Sequence, residues 1–260
     1  MSKIAILGAG VYGTALGGIL ASNGYDIDYY DPLKERESLK NVVSNAKMMV
    51  LVVPSDTAMK LLSHLPKDVP LVVAAKGFLS EQPFADFKKW DVLSGAGFAE
   101  DLKNGNIVHL TVTDRNLAEF FNAPHLVFDY TDDKRGVLIC GALKNVYALL
   151  AGKLGLKFTS LRMPEFIMQA SNEISMILKA NDAKFNTIRL SCGVKDLIIT
   201  CSPKSRNYSY GLSLFNHTLE KPKGTIEGLA TIKRIKRGEL IVPHSAKILN
   251  EFLMEEVECN

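Results

Sequence analysis

Gly8-Ala9-Gly10-Val11-Tyr12-Gly13 is the first stretch whose residue types and spacing suit chemistry. The first glycine allows a tight turn, the second lets the backbone approach a pyrophosphate, and the third lets a helix pack close to the preceding strand. The start of that helix then turns its N–H groups and positive dipole end toward the anion. Alone, the pattern is weak. Here the apolar strand Lys3–Leu7 precedes it, a helix of apolar and small residues, Val11–Ser22, follows, and Asp31 ends the next strand. A carboxylate at that point accepts from both ribose hydroxyls and repels a 2′-phosphate, which favours NAD over NADP. Asp31-Pro32 reads equally well as a helix N-cap with proline in the first helical position. Lys34 and Arg36 follow closely, and are the cations that could reach a 2′-phosphate.

Further strings combine polar groups with apolar surroundings. Lys144 and Asn145 lie inside the apolar run Cys140–Ala148. A lone lysine there would ordinarily snorkel to water. Asp196 sits within Gly193-Val-Lys-Asp-Leu-Ile-Ile-Thr-Cys201, and Ser205-Arg206-Asn207 sets a guanidinium beside an amide, a pairing suited to phosphate oxygens. Arg206 alone would read as a surface residue. Lys233-Arg-Ile-Lys-Arg237 is the one basic run; without interleaved aromatics it reads as a solvated helix end, and no nucleic acid is expected. The histidines at 64, 109, 125, 217 and 244 show no metal spacing, so no metal is expected, and the absence of Gly-x-Ser-x-Gly gives a hydrolase no support.

Taken in order, these strings resemble NAD(P)-dependent glycerol-3-phosphate dehydrogenase, especially the bacterial type. The resemblance runs through Gly8–Gly18, Val52-Val-Pro-Ser55, Lys76-Gly-Phe78, Ser94–Leu102, Gly141–Gly152, Gly193–Cys201, Ser205–Asn207 and Glu227-Gly228. Gly-Ala-Leu-Lys-Asn-Val and Asp-Leu-Ile-x-Thr-Cys are its specific parts. The resemblance implies an oxidoreductase that interconverts dihydroxyacetone phosphate and sn-glycerol 3-phosphate for glycerophospholipid synthesis, with NAD or NADP as cofactor and NAD slightly favoured. It implies Lys144 as catalytic acid and base, and Asp196 as its orienting partner. Substrate contacts fall on Lys76, Gly95, Gly97, Asn145, Thr200, Ser205, Arg206 and Asn207. Cofactor contacts fall on Gly8, Gly10, Val11, Tyr12, Gly13, Asp31, Lys76, Ala99, Arg206 and Glu227. There are departures. The chain is shorter than is usual for the family, with material missing between Asp31 and Met48 and between Gly77 and Val92. Ser94-Gly-Ala-Gly-Phe-Ala99 lacks a hydroxyl that the family carries near the substrate, and Arg162–Ile174 matches poorly. Two rivals follow: another two-domain dehydrogenase of hydroxy or keto acids, against which the Arg206-Asn207 pair argues, and a shortened non-catalytic relic, against which the joint presence of Lys144, Asp196 and Arg206 argues.

These residues need elements to hold them. Apolar runs predict strands at Lys3–Leu7, Tyr25–Tyr30, Met48–Val53, Val69–Ala75, Asp91–Leu93 and Ile107–Thr113. Helices are expected at Val11–Ser22, within Lys34–Asn45, at Thr57–Leu65 with Ser55 as cap, and then at Val137–Ala151, Pro164–Ala180 and Thr187–Cys192. The alternation gives an α/β class: a reduced, Rossmann-like, mainly parallel sheet domain over residues 1–133, then an all-helical domain over 134–260, with the active site expected in the cleft between them. The 260 residues, 47% hydrophobic and 23% charged, are those of an ordinary globular chain, and the net charge of +3 demands no particular partner. No apolar run reaches the roughly 18 residues of a membrane span, so no integral membrane segment is expected. Neither a signal peptide nor a C-x-x-C pair is seen, so Cys140, Cys192, Cys201 and Cys259 read as reduced thiols in a cytoplasm, the first three as buried packing. A homodimer is one expectation for the assembly.

Overall fold

The structure is a computed structural model that describes residues 2–33, 37–218 and 224–255. Lys34, Arg36 and Cys259 therefore lie outside the described residues. The chain divides into two compact units, one of Met1–Ala75 with Glu81–Lys134 and one of Lys76–Ser80 with Arg135–Asn260. The segment Lys76–Ser80 thus goes with the helical unit, although its flanks belong to the sheet.

The first unit is a seven-stranded sheet: β1 (Lys3–Leu7), β2 (Asp26–Tyr30), β3 (Met48–Leu51), β4 (Leu71–Val73), β5 (Trp90–Ala96), β6 (Val108–Val112) and β7 (Leu126–Tyr130), in the order β2-β1-β3-β4-β5-β6-β7. All pairings are parallel except β5 with β6. Buried-on-both-faces strands such as β3, with all four residues buried, need the continuous apolar run found there. The helices are α1 (Val11–Ser22), α2 (Leu39–Val43), α3 (Ser55–Leu62), α4 (Ala99–Asn104) and α5 (Leu117–Phe120). Ile4, Ile6, Leu16, Leu20, Val50 and Val72 form the centre of the core between sheet and helices.

Two local expectations change. Ser55 is the first residue of α3 rather than its cap, because Pro54 takes the N-cap place. Asp31 does not open a helix: its carboxylate accepts from Leu33 N at 3.0 Å, a local turn, and α2 starts later, capped by Ser38.

The second unit contains α6 (Lys134–Lys153, whose first residue is counted with the sheet), α7 (Arg162–Ala180), α8 (Asp196–Thr200), α9 (Arg206–Phe215), α10 (Glu227–Lys236) and α11 (Lys247–Met254). Residues 136–152 of α6 are all buried, so it is a core helix apolar on every side. It is long and apolar enough to cross a membrane, yet 94% of its most apolar window is buried inside the protein. Gly152 of α6 and Gly211 of α9 allow these helices to touch. A Cβ at Gly152 would lie 2.1 Å from Tyr208 O, and one at Gly211 would lie 2.0 Å from Leu149 O. The helix expected at Thr187–Cys192 is broken. Phe185–Arg189 is a 3-10 turn, Leu190 is extended, and Ser191–Lys195 is a π turn in which Gly193 leaves helical geometry. Nor is the basic run wholly solvated: Arg234 is buried, while Lys233, Lys236 and Arg237 are exposed.

Glu173 of α7 organises this unit. Its carboxylate accepts from Tyr147 Oη at 2.8 Å and from the amides of Ile248 and Leu249 at 2.7 and 3.1 Å, at the start of α11. Burial, reinforced by this carboxylate, holds the Tyr147 phenol well above its ordinary pKa, so it remains a donor. Glu173→Ala strands two buried donors and the half-buried Ile248 amide and is expected to cost about 3 kcal/mol or more. Urea unfolding followed by circular dichroism measures it, with faster hydrogen exchange at Ile248 and Leu249. A loss below about 1 kcal/mol would mean that water takes over the acceptor role.

Candidate active site

The glycine motif takes the conformation its residue types allow. Gly8 has φ +127°, and a Cβ there would lie 2.9 Å from Val53 N. At Gly13 a Cβ would sit 2.0 Å from Gly8 O, so only glycine lets α1 pack this close to the end of β1. A Cβ at Gly10 would meet nothing within 4 Å, and Gly10 brings no side-chain cap to a first turn without acidic residues. Val11, the first residue of α1, is 62% exposed, Tyr12 is half-buried, and Asp31 stands half-buried just beyond β2. An open approach at the middle glycine and an uncapped, acid-free helix start fit the pyrophosphate of a dinucleotide. The loop is also braced: Gly8 N donates to Tyr30 O at 2.7 Å, and Val52 N and Val53 N both donate to Leu7 O.

Gly95 and Gly97 have structural reasons of their own. A Cβ at Gly95 would lie 2.4 Å from His109 O across the β5–β6 pairing, and one at Gly97 would lie 2.4 Å from Val108 Cγ1. Any side chain at Gly97 would therefore meet the Val108 side chain. Ala99 is half-buried at the start of α4.

In the helical unit three charged groups converge. The break at Gly193 leads into α8, whose first residue, Asp196, is 1% exposed. Its Oδ1 accepts from Lys144 Nζ at 2.5 Å, and its Oδ2 accepts from Lys76 Nζ at 3.1 Å. Lys144 does not snorkel; it is buried in α6. Burial lowers its pKa to about 7, with the Lys76 charge acting in the same direction and the Asp196 carboxylate opposing both. Nearby Cys201, also buried, is pushed up to about 12 by desolvation, against the pull of Lys144.

The other residues expected at the substrate have partners that define their roles. Thr200 Oγ1 donates to Asp196 O at 2.5 Å and lies 3.4 Å from Oδ1, bracing the carboxylate from the same helical turn. Ser205 caps α9, accepting from Tyr208 N. Asn207 Nδ2 donates to Asn145 Oδ1 at 2.9 Å, and Asn207 Oδ1 accepts from Gly228 N at 2.9 Å. This bonded pair of amides joins the residue after Lys144 to the residue after Arg206, and both to the start of α10, where Glu227 is half-buried. Arg206 is exposed at the first position of α9, and a Cβ on Gly224 would lie 2.6 Å from its Nη1. Arg234 was not foreseen near these residues. It donates from Nη1 to Gly77 O at 2.8 Å, next to Lys76. Its place on α10 three residues after buried Thr231 is the only sequence signal for it. Among the described residues no group of three or more His, Cys, Asp or Glu side chains could hold a metal ion.

A dinucleotide-type glycine turn on a parallel sheet, followed in the chain by a helical unit with a buried lysine–carboxylate pair, defines a two-part dinucleotide-dependent oxidoreductase. Residues 133–249 match the family model of the NAD-dependent glycerol-3-phosphate dehydrogenase C-terminus. The glycerol-3-phosphate dehydrogenase [NAD(P)+] of Brucella ovis is 30% identical, over 88% of this chain and 85% of its own length. That of Leptospira biflexa is 31% identical over 82% and 79%. A crystal structure of glycerol-3-phosphate dehydrogenase from Coxiella burnetii has the same fold, with a TM-score of 0.81 at 23% identity, covering 98% of this chain and 95% of that one. The chain belongs to the NAD(P)-dependent glycerol-3-phosphate dehydrogenase family.

The Gly97–Val108 contact yields a stability test. Gly97→Ser should cost about 1–3 kcal/mol through overpacking against Val108. Joined to Val108→Ala, it should cost at least about 1 kcal/mol less than the two single changes summed. Denaturant unfolding of the four proteins measures the coupling, and simple additivity would mean that the serine finds room without moving Val108.

Proposed function

We propose that this chain reversibly reduces dihydroxyacetone phosphate to sn-glycerol 3-phosphate with NADH or NADPH, supplying glycerophospholipid synthesis. The observation that carries this reading is the buried Lys144–Asp196–Lys76 cluster in a chain of this family. The bound reduced nicotinamide would supply a hydride to C2 of the ketone, and Gly8, Gly10, Val11, Tyr12 and Gly13 are the residues that would hold its pyrophosphate, with Asp31 toward the ribose. Lys144, as an ammonium, donates a proton to the C2 oxygen as negative charge develops there. In the reverse direction the neutral amine accepts that proton. Asp196 holds the lysine in place, and the Lys76 ammonium adds fixed positive charge for the developing alkoxide. Arg206 gives charge-assisted hydrogen bonds to the phosphate. The Asn145–Asn207 bond keeps the proton donor and the phosphate ligand in register.

A slight preference for NADH is proposed from Asp31, whose carboxylate repels a 2′-phosphate. A cytoplasmic setting is proposed from Cys140, Cys192 and Cys201, read as reduced thiols buried in the protein. Homodimer assembly is carried forward as an expectation only. The first experiment is consumption of reduced cofactor with dihydroxyacetone phosphate, run with NADH and with NADPH. No turnover with either would overturn the reading.

Two results follow for the variants. Lys144→Met should lower kcat by about 10²–10⁴ with cofactor binding unchanged. In the wild type, ketone reduction should fall as pH rises through about 7, because the acid form of Lys144 is lost there. Alcohol oxidation should rise over the same range, and pH profiles in both directions check the sign. Arg206→Ala should remove most of the preference for dihydroxyacetone phosphate over dihydroxyacetone, an effect on the order of 10-fold to 200-fold in kcat/KM for a charged hydrogen bond of about 1.5–3 kcal/mol. Unchanged discrimination would put the phosphate ligand elsewhere.

A further inference from the structure

Lys76 reaches Asp196 from a segment with no helix or strand of its own. The residues on either side of its turn are fixed. Ala74 N donates to Leu51 O, and Phe78 and Leu79 are buried at 1% and 5% exposure. Between them lies Gly77, with φ +101°, the residue whose backbone has the widest choice of conformation. Its carbonyl accepts from Arg234 Nη1 at 2.8 Å, and the Arg234 guanidinium carbon lies 5.9 Å from the centre of the Phe78 ring. Arg234 is itself buried, at 9% exposure, on a helix whose neighbouring cations are exposed. We propose that Arg234 is a positioning residue, which sets the Lys76 ammonium on Asp196 by fixing the peptide carbonyl of Gly77.

The physical basis is direct. A guanidinium offers donors in a rigid fork and is the cation most weakly penalised for leaving water. A charge-assisted bond to a carbonyl in a buried place is stronger than a neutral one. The bond restrains Gly77 ψ; with Phe78 buried, a change in that angle would turn the preceding Lys76, and with it the ammonium, away from Asp196. Arg234 acts through Lys76. The role for catalysis rests on Lys144 being the proton donor of the proposed reaction.

The test uses a readout that a purely structural role would not move. Lys144 faces Asp196 from α8, Lys76 from the Gly77 turn, and Cys201 after α8; of these, Lys76 is the cation that lowers its pKa. Removing Lys76 therefore raises the Lys144 midpoint. Arg234→Met should raise it in the same sense, measured by an NMR titration of the full chain carrying labelled lysine. It should also lower kcat for dihydroxyacetone phosphate by up to about 10²-fold, as small misplacements do, with Arg234→Lys recovering part of both. In a Lys76→Met background, Arg234→Met should change neither quantity further. An unmoved Lys144 midpoint in Arg234→Met overturns the proposal. So does an equal shift in the Lys76→Met background, since Arg234 would then act on Lys144 without Lys76. Arg234→Leu repeats the comparison if the Met variant does not fold, and failure of both would make Arg234 a folding residue and overturn the proposal. A wild type without turnover refutes the reaction, while the titration still decides the role of Arg234.

Discussion

A carboxylate sealed from water must be compensated, and the helical unit is arranged around that requirement at Asp196. Isolated buried charge is costly, and a buried pair is tolerated only with good geometry and further hydrogen bonds. Asp196 has one ammonium on each carboxylate oxygen, and the Thr200 hydroxyl donates to its backbone carbonyl. Two cations share this one anion, Lys144 buried and Lys76 half-buried. Burial above all, with the Lys76 charge acting in the same direction, lowers the Lys144 pKa to about 7. In the proposed reaction the same two cations would favour a substrate that brings phosphate and develops an alkoxide.

The three members of that cluster come from distant parts of the chain, and each is delivered by a different local device. Lys144 needs a helix buried on all sides, which the unbroken apolar composition of α6 provides. Asp196 needs the chain to stop being helical and start again, which Gly193 does by passing within contact of the Ile188 carbonyl, where a Cβ would lie 2.0 Å away. Lys76 needs a left-handed turn at Gly77. Two of the three devices are glycines, so the placement of charge depends on residues that carry none.

This division explains what could be read from the sequence. Strands β1 to β6 and helices α1, α6 and α7 were legible because continuous apolar runs and their punctuation are local signals. Strand β7 was not: only Leu126 of Leu-Val-Phe-Asp-Tyr is buried, at the edge of the sheet, so it shows neither a long apolar run nor a clean alternation. Lys144 and Asp196 were legible as a pair only through their resemblance to a family, since 52 residues separate them. Asn145 and Asn207 were placed at the substrate, yet they bond to each other; nothing in either string announces a partner 62 residues away. Arg234 was read with its charged neighbours as solvent-facing. A run of cations hides the one member that helical spacing turns inward.

The shape of the glycine loop depends on which strands brace it. Its backbone bonds run to Tyr30 at the end of β2 and from Val52 and Val53 after β3 back to Leu7. Those two strands flank β1 on either side, and both are present. β2 is an edge strand of the sheet, and these bonds that shape the turn lie on its β1 side. The glycine turn, where the pyrophosphate is proposed to lie, thus depends on β1, β2, β3 and the start of α1.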